Sequence, residues 1–153
     1  MLRNDALWAE KAAEVSAMTK DIVEFMIEIG LENPKPPEQL TVAYHSACSM
    51  QHGQQLKDEP KALLEDAGFR VTTPREPHLC CGSAGVYNIM QPKIANQLKE
   101  RKAGNLNALQ ADVIAAGNIG CLTQLKSAVH APVVHTAELL DWATGGPKPK
   151  KLG

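Results

Sequence analysis

Aromatic residues make up only 4% of this 153-residue chain, and no stretch is apolar for long enough to span a bilayer. The first scarcity argues against base-stacking platforms. The second excludes a direct membrane span. Charge of one sign is also missing: the net charge is −1 with histidine neutral, so no basic field recruits nucleic acid or anionic lipid. Asp5, Glu10, Lys11, Glu14, Lys20, Asp21, Glu24 and Glu28 interrupt any apolar export region near the start. A cytoplasmic location is therefore expected, where thiols stay reduced. The chain has neither a GxGxxG nor a GxxxxGK[ST] run, which leaves little basis for a nucleotide site. It also lacks a CxxC pair, which weakens thiol–disulfide catalysis by Cys80 or Cys81, and no Ser–His–Asp or paired-acid arrangement stands out.

What is present is a 44% hydrophobic, 22% charged composition of ordinary globular kind, long enough to bury one core without disulfide staples. Asn4 or Asp5 can cap a helix reaching Ile29, with Gly30 as its C-terminal cap. Trp8, Val15, Met18, Ile22, Met26 and Ile29 form its apolar stripe. Residues 31–39 hold Pro34, Pro36 and Pro37 and read as a linker. From residue 40 to 144 short β-rich runs alternate with helical ones. Strands are expected over Leu40–His45, Phe69–Thr73, Asp112–Ala116 and Pro132–His135. Helices are expected over Glu59–Ala67, Gln91–Gln110, Cys121–Val129 and Ala137–Ala143. Ile94, Leu98, Ala103 (or the stem of Lys102), Leu106 and Leu109 are the expected inner face of the longest helix. Residues 145–153, rich in Gly, Pro and Lys, are expected to be a flexible tail. The alternation implies a three-layer α/β domain: a mostly parallel sheet of about four strands, with helices on both faces and an N-terminal helix ahead of it.

Right-handed crossovers place every strand-to-helix loop on one edge of such a sheet, outside the carboxyl ends of the strands. Cys48 follows the first strand, Cys80 and Cys81 follow the second, and Cys121 follows the third, so all four cysteines fall in loops on the edge where ligands bind. A lone cysteine is usually a small core hydrophobe; four sharing one edge point to a site. Their separations are too long for a zinc finger or a ferredoxin run and suit a site assembled from three loops. Four soft thiolates meet the needs of a 4Fe–4S cluster or of tetrahedral zinc. Adjacent cysteines bond poorly to each other and crowd a single ion, yet both can reach a multi-iron cluster, which favours the cluster. Gly82, Ser83 and Gly85 follow the pair, and Gly120 precedes Cys121; backbone N–H groups there can bond cluster sulfurs. Among the histidines near these loops, His45 and His135 end strands facing the cysteines and are the better candidates.

The segments His45–Cys48 (HSAC), Cys80–Asn88 (CCGSAGVYN), Gly117–Cys121 (GNIGC) and Val134–Asp141 (VHTAELLD) resemble the cysteine-rich CCG domain, in particular the C-terminal part of glycolate oxidase iron–sulfur subunits. The resemblance covers residues 40–143. It implies a 4Fe–4S cluster on Cys48, Cys80, Cys81 and Cys121, one prone to loss by oxidation in air. It implies electron relay from a flavin-containing oxidase subunit towards quinone, with the rest of an iron–sulfur subunit as a further partner. The complex would be cytoplasmic and peripheral to the inner membrane. No substrate turnover is expected of this chain alone, and a structural zinc or subunit-assembly module is the alternative. Two departures stand out. Asn118 occupies the first position of the family's closing Cys-x-x-Cys, and Ser46-Ala47 replaces an Asp-Pro that commonly precedes the first cysteine.

Overall fold

The computed structural model describes residues 2–36 and 38–153; Met1 and Pro37, which fall in the expected N-terminal helix and linker, lie outside them. The domain is α/β. Its four strands, β1 (Thr41–His45), β2 (Arg70–Thr72), β3 (Val113–Ala116) and β4 (Val133–His135), lie in the order β2-β1-β3-β4 and are all parallel. The inner strands read as continuous apolar runs because both faces are covered: Val42–Tyr44 and Val113–Ala116 are buried throughout.

Helices α1 (Ala9–Met18) and α2 (Ile22–Ile29) precede the sheet. Helix α3 (Glu59–Asp66) joins β1 to β2. Helices α4 (Tyr87–Met90) and α5 (Pro92–Asn107) lead from β2 to β3, α6 (Ile119–Leu125) joins β3 to β4, and α7 (Thr136–Ala143) follows β4. The chain moves one way across the sheet from β1 to β2 and the other way from β2 through β3 to β4. Right-handed crossovers then put α3 on one face and α5 and α6 on the other. Packing agrees: α3 contacts α2 and α7, and α5 contacts α6.

The N-terminal segment departs from the single helix expected of it. Thr19 turns its hydroxyl back to the carbonyl of Val15 (2.8 Å), and the chain opens at Thr19 before restarting at Asp21. Asp21 is a strong N-cap: its carboxylate accepts from the Val23 N–H at 2.9 Å, and Glu24 accepts from the Asp21 N–H at 2.7 Å. The expected apolar stripe is correspondingly not the core face. Trp8, Val15, Met18 and Ile29 are exposed, α1 buries no residue, and Val23 carries the packing of α2 with help from Met26. Gly30 does close α2.

Helix α5 departs from expectation at its first turn only, where Ala95 and not Ile94 faces inward, while Lys102, Ala103 and Leu106 lie inward as expected. Its buried residues are Ala95, Lys102, Ala103 and Leu106, whereas Ile94 is exposed and Leu98 and Leu109 are half-buried. The tail, expected to be free, makes specific contacts. The Lys151 ammonium donates to the carbonyl of Val133 (2.8 Å), Lys148 pairs with Glu38 (2.9 Å), and Leu152 packs against the core.

Leu64 on α3 is fully buried beneath the sheet. Leu64→Ala is expected to cost about 2–5 kcal/mol in urea denaturation, while Leu7→Ala, at a residue 86% exposed, changes stability by less than about 0.5 kcal/mol. Equal effects of the two substitutions would contradict this core.

Candidate metal centre

Strands β1 and β3 are neighbours, yet the chain leaves them in opposite directions and over opposite faces. This is a topological switch point, where the loops part and leave a crevice. The register ends with His45 opposite Ala116, so the two segments that follow, Ser46–Cys48 and Gly117–Cys121, flank that crevice. The third contribution comes from the long connection after β2, which carries Cys80 and Cys81 over to them.

Two glycines make that convergence possible. Gly82 has φ +88°, and a Cβ there would collide with the carbonyl oxygen of Ala95 on α5. The loop therefore lies flat against that helix, which is why small Ala95 rather than Ile94 faces inward. Gly120 lets α6 approach the same loop: a Cβ there would sit 2.8 Å from the Ser83 hydroxyl. Asn118 starts α6, its side-chain oxygen accepting from the N–H groups of Gly120 (2.9 Å) and Cys121 (3.3 Å). Because α6 begins at Ile119, Cys121 lies in its first turn and not in the preceding loop. Cys48 likewise sits at the start of a π-helical turn, Ser49–Gln54, a feature often found at functional sites.

All four cysteines line one cavity of about 340 Å³, with Ser83, Gly85, Asn118 and Gly120. The thiols of Cys81 and Cys121 are buried and hydrogen-bonded at 3.3 Å; Cys48 and Cys80 are half-buried, and the Gly82 N–H donates to the Cys80 sulfur at 3.3 Å. His45 has no exposed surface, and among the described residues neither ring nitrogen has a hydrogen-bond partner. A ring nitrogen of His45 and the two buried sulfurs all lie within 4.8 Å of one another. A larger surface hollow of about 800 Å³, bordered by Met26, Gly30–Asn33 and Thr144, has no cysteine or histidine in its lining. Size does not mark the site; chemistry does.

The electrostatics divide the thiols. Cys81 is held well below the ordinary thiol range, first by the Cys121 thiol that bonds to it, then by His45 and the backbone at Ser83, against its own burial. Cys121 is raised in turn by sharing that bond with Cys81 and by burial. Cys48 is pushed up to about 11, by burial first and then by the neighbouring Cys80 and Cys81. Thiols that resist ionising together, beside a buried imidazole with no partner, form a donor set suited to a soft cation or cluster that would relieve both strains.

Of the expected site residues, His45, Ser83, Gly85 and Gly120 are gathered with the four cysteines, and Gly82 lies beneath them. His135 is not. It ends β4 and caps α7, its Nδ1 accepting from the Ala137 N–H at 3.1 Å, and it has no place in the cavity lining. Asn118 is more than a departure from the family's cysteine pattern; an Asn directly ahead of the helical run IGCLTQL is the capping signal that reveals its role.

Residues 42–126 match the family model described as a cysteine-rich domain, CCG. The chain belongs to the CCG cysteine-rich domain family. This CCG domain is 40% identical over 143 residues to the glycolate oxidase iron-sulfur subunit of Escherichia coli (strain K12), a match covering 94% of this chain and 35% of that protein. It is 29% identical over 160 residues to the probable glycolate oxidase iron-sulfur subunit of Bacillus subtilis (strain 168), covering 95% and 35%. Lactate utilization protein A of Bacillus licheniformis is 26% identical over 148 residues, covering 92% and 62%. The chain thus spans about a third of the length of the glycolate oxidase relatives.

A lowered Cys81 thiol fixes the sign of a pH dependence. The stability linked to it is present above the ordinary thiol pKa and is lost as pH falls through the lowered one. Metal-free, reduced protein is expected to keep one thiolate absorbance near pH 6, where an ordinary thiol of pKa about 8.5 is protonated. Cys81→Ser should abolish it. A protein with no thiolate band at that pH would contradict the arrangement.

Proposed function

We propose that this CCG domain holds an iron–sulfur cluster on Cys48, Cys80, Cys81 and Cys121 and relays electrons within a 2-hydroxy-acid oxidase of the glycolate oxidase kind. The observation that carries this reading is the meeting of three separate chain segments, with all their cysteines, at one cavity on the switch point of the sheet. Relatives named as iron–sulfur subunits support the choice of group. Four thiolates suit the 4Fe–4S type, which when bound supplies one-electron transfer. The chain's own residues do the rest. Cys81 and Cys121 furnish the buried side of the site and Cys48 and Cys80 its open side, while the Gly82 N–H bonds the Cys80 sulfur. Burial and such hydrogen bonds set the potential. Electrons would come from a flavin-containing subunit and leave through the remainder of an iron–sulfur subunit towards quinone. The complex would be cytoplasmic and peripheral to the membrane; no helix among the described residues is long and apolar enough to cross one.

One observation favours a second reading. His45, Cys81 and Cys121 lie close enough together to ligate a single ion, as a structural zinc site would require. Zinc would then fasten the loops for subunit assembly without carrying electrons.

Protein purified without oxygen separates the two. Stoichiometric iron with acid-labile sulfide is expected, and Cys81→Ser should lose the iron while retaining the helical circular-dichroism signal. Stoichiometric zinc without iron or sulfide would defeat the electron-relay reading.

A further inference from the structure

Lys102 is a lysine with no exposed surface, on the buried face of α5. It lies seven residues, about two turns, beyond Ala95, so both project from the same side of the helix. Ala95 supports Gly82, and the Lys102 ammonium donates to the carbonyl oxygens of Glu76 (2.8 Å) and Pro77 (3.3 Å), on the same loop just ahead of Cys80. The face of α5 therefore carries the cysteine loop at two points, one of them a cation.

A buried ammonium needs an anion as well as carbonyl dipoles. Among the described residues no carboxylate forms an ion pair with Lys102. The Glu76 carboxylate is engaged by Arg101, with Nε at 2.9 Å, and by Asn105 at 3.0 Å. Burial pulls the Lys102 ammonium down, and the groups that hold it charged are led by Cys48 and Cys81, with Glu76 and then Cys80 behind them. Three of the four are thiols of the site.

We infer that Lys102 is the counter-ion of the cysteine site: a fixed positive charge beneath the Cys80–Cys81 loop that offsets the thiolates and raises the reduction potential of the group they hold. It touches neither the sulfurs nor a substrate and acts as a positioning and charge-compensating residue. The inference rests on the reading of a thiolate site but not on which metal fills it.

Two substitutions separate charge from scaffolding. Lys102→Gln keeps a donor for the two carbonyls without the charge, and Lys102→Met keeps neither. In iron-loaded protein, both variants should lower the reduced-to-oxidised ratio at a given potential about tenfold, a midpoint shift of about −59 mV for one electron. In metal-free, reduced protein, the half-buried Cys48, which is a protonated thiol at neutral pH, should alkylate with iodoacetamide about tenfold more slowly in both variants than in the parent when followed by peptide mass spectrometry, one thiol pKa unit being a tenfold change in its thiolate. A scaffolding role alone would leave Lys102→Gln like the parent in both assays, and that result overturns the inference. Should the parent bind no iron, the electron-relay reading fails, and the alkylation arm still decides the role of Lys102.

Discussion

The lateral pairing of β1 with β3 is the constraint from which the rest of the site follows. Two parallel strands in register from Val42–Val113 to His45–Ala116 release their chains at the same level and send them over opposite faces. That divergence opens the crevice, and the register sets Cys48 and Cys121 on either side of it. Both faces of the two strands are buried, so a one-residue shift would carry Tyr44 and His45 into layers shaped for other side chains, and close packing resists it. Core packing and site assembly are thus one requirement. The loop from β2 closes the arrangement by lying on α5, which is why a glycine at residue 82 and a small residue at 95 belong to the site as much as the thiols do.

The polar groups of the centre carry local costs. His45 is buried with both nitrogens unpartnered, and Cys81 and Cys121 share one hydrogen bond in a space where two thiolates would repel. Unmet polar groups of this kind are rare in native cores and mark places with a chemical role. A ligand that binds only the folded chain recovers such costs and adds its own binding free energy to stability. The half-exposed Cys48 and Cys80 give the cavity an open side, so the same geometry buries two thiols and leaves two near the surface.

Much of this was legible in the sequence. The switch from an amphipathic N-terminal region to short apolar runs spaced by helices revealed the parallel sheet, and the crossover rule then placed the cysteines on one edge. What escaped has physical causes. The break at Thr19 depends on a hydroxyl competing with the helix and on the capping strength of Asp21, both weaker signals than the hydrophobic period across them. That Ala95 and not Ile94 faces inward on α5 could not be read from the helix's own apolar residues, because a loop glycine elsewhere in the chain decides which position must be smooth. Lys102 looked like an amphipathic stem, since nothing local to a helix reveals that its charge faces carbonyls and thiols from other segments. His135 ends a strand as His45 does, but the capping box with Glu138 turns its ring to α7.

Diffraction from anaerobically grown crystals, recorded on both sides of the iron absorption edge, tests the central claim most directly. The account predicts one anomalous iron peak enclosed by the sulfurs of Cys48, Cys80, Cys81 and Cys121, between the ends of β1 and β3. Iron bound elsewhere, or Cys121 turned away from the Cys80–Cys81 pair with iron present, would contradict it.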